Sequence, residues 1–194
     1  MIKNIKRLLQ RGGLVARTGP DSESGPAAAD FGDVTRVLMV CTANICRSPT
    51  AEAVLRAKLQ RAGLHHRVLV DSAGTQGFHL AEAPDPRAQR AAALRGYDLS
   101  ALRARSIDGE DFWRFQYIVA MDASHLAWLH KRVPEDGSAS LQLLMAHARV
   151  FSDQDEVPDP YYGGPAGFER VLDLIEDACD GLVATLAQRA THPA

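Results

Sequence analysis

The chain has 194 residues, 46% of them hydrophobic and 24% charged, which suits one soluble domain with enough chain to bury a sizeable core and excludes a disordered tail or a fibre. Basic and acidic residues nearly cancel, 22 against 24 for a net charge of -2, so there is no overall electrostatic case for nucleic-acid binding and any anion must be recognised locally. No apolar run approaches the ~18 residues that span a bilayer, which excludes a transmembrane anchor.

Residues 1–35 read as a basic N-terminal extension and flexible linker. Ile2, Ile5, Leu8 and Leu9 recur at helical spacing against Lys3, Lys6, Arg7 and Arg11, the pattern of a short amphipathic helix able to touch an anionic membrane surface. A frayed leader is the competing reading. Met1 to Arg17 lacks the long apolar segment and small-residue cleavage site of a secretory signal. A cytoplasmic location follows as the expectation, and the three cysteines, Cys41, Cys46 and Cys179, form neither a disulfide framework nor paired zinc half-sites.

The globular part begins at Arg36 and is expected to run to residue 190, with 191–194 as a tail. Val37 to Val40 is a continuous apolar run, as in a strand buried on both faces of a parallel sheet. A helix from Pro49 to Ala62 follows, with Ala51, Leu55, Leu59 and Ala62 on one face. Ser48 is placed as its N-cap and Pro49 as its first residue, with Glu52 in the first turn. A second strand, Arg67 to Asp71, is closed by a Ser72, Ala73, Gly74 turn. Asp85 and Pro86 introduce a helix to Leu94, ended by Gly96. Tyr117 to Met121 is a third strand, Ser124 to Arg132 a helix, and Leu141 to Met145 a fourth strand. The last helix, Gly167 to about Arg189, carries Phe168, Val171, Leu172, Ile175, Leu182, Val183 and Leu186 on one stripe, with Cys179 among them as a core filler.

Strands alternating with helices predict an α/β fold: a single open, mostly four-stranded parallel sheet flanked by helices on both faces. Ligands of such sheets sit beyond the carboxyl ends of the strands at a topological switch point. Cys41 lies at such an end, so a phosphate-binding loop is expected after the first strand. Between Cys41 and Arg47 stand Thr42, Ala43, Asn44, Ile45 and Cys46, mostly small or polar residues that can curl until successive backbone N–H groups form an anion-binding nest. The following helix aims its positive end at the same spot, and Arg47 adds a planar fork matched to two phosphate oxygens. A cysteine on that floor has its thiolate stabilised by all three, and is expected to be deprotonated near neutral pH and nucleophilic toward phosphorus. A buried strand-end cysteine beside a surface arginine is the bland alternative.

These residues resemble the low-molecular-weight protein tyrosine phosphatase family. The resemblance rests on Cys41-x5-Arg47-Ser48, Asp85-Pro86-Arg87-Ala88, Met121-Asp122-x-Ser124 and Val157-Pro158-Asp159-Pro160-Tyr161-Tyr162 in this order, and covers Arg36 to Arg189. It implies Cys41 as nucleophile, Arg47 as the phosphoryl-binding residue, Asn44 as the residue holding the strained loop and Ser48 as the hydrogen-bond donor to the sulfur. Asp159 is implied as general acid for the phenolate and then as base for the water. The resemblance further implies a metal-free, cofactor-free reaction through a phosphocysteine. The partner implied is a phosphotyrosine-containing protein, a bacterial tyrosine autokinase being one such protein.

Each role has its own chemical reason. Phosphate monoesters hydrolyse very slowly unaided, and a covalent intermediate with preorganised donors around the equatorial oxygens lowers both barriers. A phenolate gains from a proton, and Asp159 sits on a stiff Pro-flanked loop; a plain turn aspartate is its alternative reading. Negative charge on the phosphate favours the acid form of Asp159. Phe78, Tyr161 and Tyr162 are expected to wall a cleft deep enough for an aromatic phosphoester. Similar enzymes acting on phosphoarginine carry Thr where Ile45 stands, which favours phosphotyrosine. A reversible Cys41–Cys46 disulfide and a packing role compete as readings of Cys46. Asp122 caps the next helix or buttresses the loop, and His79 neighbours the rim. Many relatives have a supporting His where Leu102 stands, with Arg103 as the candidate substitute. An arsenate reductase of the same fold is the nearest rival, but its thiol relay is missing, as no Cys lies between Asp71 and Arg105. A non-catalytic phosphotyrosine-binding module needs neither thiolate nor proton donor.

Overall fold

The structure, a computed structural model, describes residues 34–191. The expected basic helix and linker up to residue 33, and residues 192–194 of the tail, lie outside the described residues. Four parallel strands, β1 (Thr35–Cys41), β2 (Val68–Gly74), β3 (Tyr117–Ala120) and β4 (Ser140–Leu143), form one sheet in the order β2-β1-β3-β4. The helices are α1 (Arg47–Arg61), α2 (Pro86–Leu94), α3 (Asp111–Arg114), α4 (Ala123–His130) and α5 (Pro165–Thr191). Among the described residues no helix is long and apolar enough to cross a membrane.

β1 is one of the two inner strands, and Val37 to Val40 are fully buried because both sheet faces are covered. Successive side chains point to opposite faces. Val37 and Met39 join a core with Leu55 and Leu59 of α1 and Leu172, Ile175 and Leu182 of α5. Leu38 and Val40 join a second core with Phe112, Phe115, Ile118 and Leu129. From β1 the chain passes to β2 on one side and later to β3 on the other, so the carboxyl end of β1 is the switch point of the sheet.

Several boundaries differ from expectation. β2 continues through Ser72, Ala73 and Gly74, which pair with Met39, Val40 and Cys41 instead of turning away. Glycine is needed there, since a Cβ on Gly74 would meet the Thr42 carbonyl oxygen at 2.8 Å. β3 stops at Ala120, and β4 runs from Ser140 only to Leu143 because β3 offers it four partners. The chain then tightens into a 3-10 turn, Leu144–His147, that packs on Gly181 of α5, where even a Cβ would collide with the His147 carbonyl. The Asp111–Arg114 turn was not expected. It is anchored by buried Phe112 and by buried Asp111, which accepts hydrogen bonds from Arg105.

α1 starts at Arg47 rather than Pro49, with Cys46 at the cap position and no side-chain cap. Ser48 is therefore inside the helix, and its hydroxyl is free to serve the loop. With that start Glu52 falls beyond the first turn, where it is buried, and Ala62 is exposed rather than part of the buried face. α4 begins at Ala123 and ends at His130, two residues short of Arg132, and α5 begins at Pro165, two residues before Gly167, as proline in a first turn allows.

Candidate active site

β1 delivers Cys41 to the switch point, and the chain curls from Thr42 to Cys46 into α1. The curl is secured through its carbonyls. Those of Cys41 and Thr42 accept from the N–H groups of Thr75 and Gln76 at 2.9 and 2.8 Å, and that of Ile45 accepts from Asp85 N–H at 2.8 Å. With every peptide trans among the described residues, an outward carbonyl sets the next N–H the opposite way. The amides of Thr42, Ala43 and Cys46 consequently face the cavity that these residues line, which is the arrangement an anion nest requires.

Asn44 takes the left-handed conformation, φ 57°, which asparagine tolerates better than most residues. Its side chain stays behind the loop. Nδ2 donates to Ser48 Oγ at 2.9 Å and to Ser72 Oγ at 2.8 Å, and Oδ1 accepts from Arg105 N–H at 2.9 Å. Ser72 Oγ in turn donates to Glu52 Oε2 at 2.5 Å. Burial raises the Glu52 carboxyl above its ordinary value, against the pull of Ser72 and of Arg56. Ser48 Oγ, accepting from Asn44, has one proton left and lies 3.0 Å from Cys41 Sγ and 3.3 Å from the Ala73 carbonyl. A chain of polar groups thus runs from Glu52 to the sulfur.

Arg47, only 4% exposed, is held on two sides. Nη1 donates to Asp122 Oδ2 at 2.7 Å and to the Val157 carbonyl at 3.2 Å, while Nη2 reaches Asp159 Oδ2 at 3.1 Å and Thr42 Oγ1 at 3.5 Å. Asp122 fills both expected roles: it pairs with Arg47, and its Oδ1 caps α4 by accepting from His125 N–H at 2.9 Å and Ser124 Oγ at 2.6 Å. Burial pushes its carboxyl up, but the His125 and Ser124 hydrogen bonds and the His125 charge outweigh this and hold it well below the usual carboxylate range. His125 Nδ1 stands 2.9 Å from the same oxygen, and Nε2 meets Thr42 Oγ1 at 2.9 Å.

Above the sulfur opens a cavity of about 340 Å³. Its floor is Cys41, Thr42, Ala43, Ile45, Cys46 and Arg47, and its rim is Phe78, His79, Asp159, Tyr161 and Tyr162. Asn44 and Ser48 are the two expected site residues that do not line it, since their side chains bond to each other and to β2 behind the loop. Phe78 and Tyr162 stand clear of the surface at 71% and 95% exposed. Tyr161 is partly buried, stacked edge-on to Tyr162 at 5.0 Å and beneath the Arg87 guanidinium at 5.4 Å. Burial, followed by the charges of Asp85, Cys41 and Asp159, pushes the Cys46 thiol up to about 12.

Three features escaped the sequence reading. Arg103 does not replace the supporting histidine, since it donates to the Ser100 and Leu102 carbonyls at the surface; Arg105 supports Asn44 instead, and Leu102 packs on the core. Glu52 and Ser72 back the loop from α1 and β2. His125 reaches Thr42 from α4. No local pattern marks these residues, because they converge only through strand pairing.

The sequence model of the family described as "Low molecular weight phosphotyrosine protein phosphatase" matches residues 36–192. A low molecular weight protein-tyrosine-phosphatase of Streptomyces coelicolor is 46% identical over 156 residues, covering 79% of this chain and 94% of that protein. The low molecular weight phosphotyrosine protein phosphatase of Homo sapiens is 36% identical over 143 residues, 74% of this chain and 90% of that protein. A crystal structure of a protein tyrosine phosphatase from Entamoeba histolytica with Hepes in its active site superposes with a TM-score of 0.76 at 38% identity, covering 79% of this chain and 97% of that one.

Proposed function

Because the chain belongs to the low molecular weight phosphotyrosine protein phosphatase family, a family of hydrolases, we propose that its residues 36–190 hydrolyse phosphotyrosine in proteins through a phosphocysteine intermediate, without metal or cofactor. The observation that carries this reading is one sulfur, 3.0 Å from the Ser48 hydroxyl, at the bottom of a cavity whose mouth holds a carboxyl. Substrates are phosphotyrosine-bearing proteins, a bacterial tyrosine autokinase among them, in the cytoplasm.

In the first step the Cys41 thiolate attacks phosphorus, forming a P–S bond as the P–O bond to the phenol breaks. The electron pair leaves with the phenolic oxygen, which takes a proton from Asp159. Arg47 and the inward amides hold the three equatorial oxygens, whose charge spreads in the transition state. Since Asp159 and the phosphoryl group both seek Arg47 Nη2, phosphate binding releases Asp159 toward the leaving oxygen. In the second step the Asp159 carboxylate takes a proton from water, the water oxygen attacks phosphorus and the P–S bond breaks. The pair returns to sulfur, where the Ser48 hydroxyl donates to the thiolate, and inorganic phosphate departs. A thiol as high as that of Cys46 is a slow attacker in any exchange with an oxidised Cys41, which favours its packing role. Ile45, Phe78, Tyr161 and Tyr162 surround the aromatic ring.

Rapid mixing with p-nitrophenyl phosphate should give a burst of p-nitrophenol equal to the enzyme concentration, and acid quench should trap phosphate on Cys41. Cys41→Ser should abolish both; retained turnover in that variant would overturn the reading.

A further inference from the structure

Arg87 is absent from the mechanism above, yet its side chain joins the two loops that carry it. Nε and Nη2 fork onto the Asp85 carboxylate at 3.0 and 2.7 Å, and Nη1 donates to the Tyr161 carbonyl at 2.9 Å. Asp85 is tied to the phosphate loop through its own N–H on the Ile45 carbonyl. Tyr161 is tied to the acid through its N–H, which donates to Asp159 Oδ1 at 3.2 Å. The guanidinium also lies against the Tyr161 and Phe168 rings, 5.4 and 4.9 Å from their centroids. An unbroken line of contacts therefore leads from Ile45 through Asp85, Arg87 and Tyr161 to the carboxyl of Asp159.

We propose that Arg87 is a positioning residue for proton transfer: by holding the Tyr161 peptide at a fixed height above the phosphate loop, it keeps Asp159 aimed at the leaving-group oxygen. This rests on the reading of Asp159 as the general acid. Asp159 has two tethers, Arg47 on Oδ2 and the Tyr161 N–H on Oδ1. A bound phosphoryl group claims Arg47, and the Tyr161 N–H is then the contact that still orients the carboxyl. Helix capping does not require the Arg87 side chain, because Asp85 caps α2 through the Arg87 backbone N–H at 2.7 Å. Nor does ion pairing alone explain it: a half-exposed pair contributes little, whereas the planar fork fixes direction.

The test compares phenyl phosphate, whose leaving group needs a proton, with 2,4-dinitrophenyl phosphate, whose leaving group does not. The readout is kcat/KM, which reports the first phosphoryl transfer. Arg87→Ala should lower kcat/KM for phenyl phosphate by about tenfold to a hundredfold, a part of the gain from a well-aimed acid. It should leave the dinitrophenyl ester and inhibition by inorganic phosphate within about threefold. Arg87→Lys, which keeps the charge without the fork, should fall between, and serves the same comparison if Arg87→Ala does not fold. In an Asp159→Ala background, Arg87→Ala should add nothing. Equal losses on the two esters, or no loss on phenyl phosphate, would overturn the positioning role. Should Asp159→Ala itself lose equally on both esters, the acid assignment fails and the proposal with it. Selective loss in Asp159→Ala but not in Arg87→Ala would sink the proposal alone.

Discussion

The floor and the mouth of the catalytic cavity are built by opposite means. Cys41, Asn44, Arg47 and Ser48 are all buried, and each is bonded to a residue of β2, of α1 or at the N-cap of α4. At the mouth, Asp159 is 47% exposed and its carboxyl depends on one arginine and one backbone amide. Tyr162, beside it, is almost wholly in solvent. In the proposed reaction the floor would hold charge in one geometry through both chemical steps, and its donors are preorganised by packing. On the same proposal the mouth would admit a protein side chain and release a phenol, and its contacts are few and breakable.

The contrast yields an ordered set of expectations. Breaking the floor should cost most. Gly74→Ala drives a Cβ against the Thr42 carbonyl, 2.8 Å away, and the Ala43 backbone at 3.1 Å. It should lower kcat/KM for p-nitrophenyl phosphate by about a hundredfold or more, as a displacement near 1 Å does to a positioned reaction, and weaken inhibition by vanadate in parallel. Asn44→Ala removes three hydrogen bonds and leaves an alanine in the left-handed region. A loss of about tenfold to a hundredfold in the same assay is expected, together with a lower urea midpoint.

Stability separates the regions further. Asp122→Asn leaves the buried Arg47 without its nearest counter-charge, and should cost about 3 kcal/mol by urea denaturation at pH 7. The pH dependence follows from the depressed carboxyl. Asp122 binds its proton more weakly folded than unfolded, so its contribution is complete above the ordinary value of 3.8 and is lost as pH falls below it. Between pH 7 and pH 3 the wild-type protein should therefore lose more stability than Asp122→Asn does. Equal losses would show that this carboxyl is not what acid attacks.

The smallest effects belong to the mouth and to the second thiol. With its thiol near 12, Cys46 should stay unmodified by iodoacetamide at pH 7 while Cys41 is alkylated, as peptide mass mapping would report; swift labelling of Cys46 would contradict the burial argument. Tyr162→Ala should leave the urea midpoint within about 0.5 kcal/mol, since its ring is 95% exposed. It should raise KM for a phosphotyrosine peptide more than it lowers kcat.

How much of this was legible before folding varies with locality. The residues from Cys41 to Ser48 are contiguous, so a strand, a small-residue curl and a helix start announce an anion site by order alone. The aspartate between two prolines was legible because stiff loops have their own signature. The support of Asn44 was not, because Ser72, Glu52 and Arg105 come from a strand, a helix and a loop far apart in the chain, and no spacing links them. Ser48 shows the limit most plainly: beside Pro49 it carries the local mark of a helix cap, yet the helix begins two residues before Pro49 and the Ser48 hydroxyl turns to the sulfur.

By itself, the sequence determined the class of the fold, the strand that ends at Cys41 and the residue types from which the proposed chemistry is built, because hydrophobic period and residue chemistry are written in neighbouring positions. Only the tertiary structure decided which groups hold those residues in place. The pairing of Cys41 with Gly74, the bridge from Gly74 to Ser106 and the seating of α4 against β3 and β4 bring polar groups distant in the chain within 3 Å of one another. Hydrogen bonds act only at such distances, and strand register, not chain proximity, sets them.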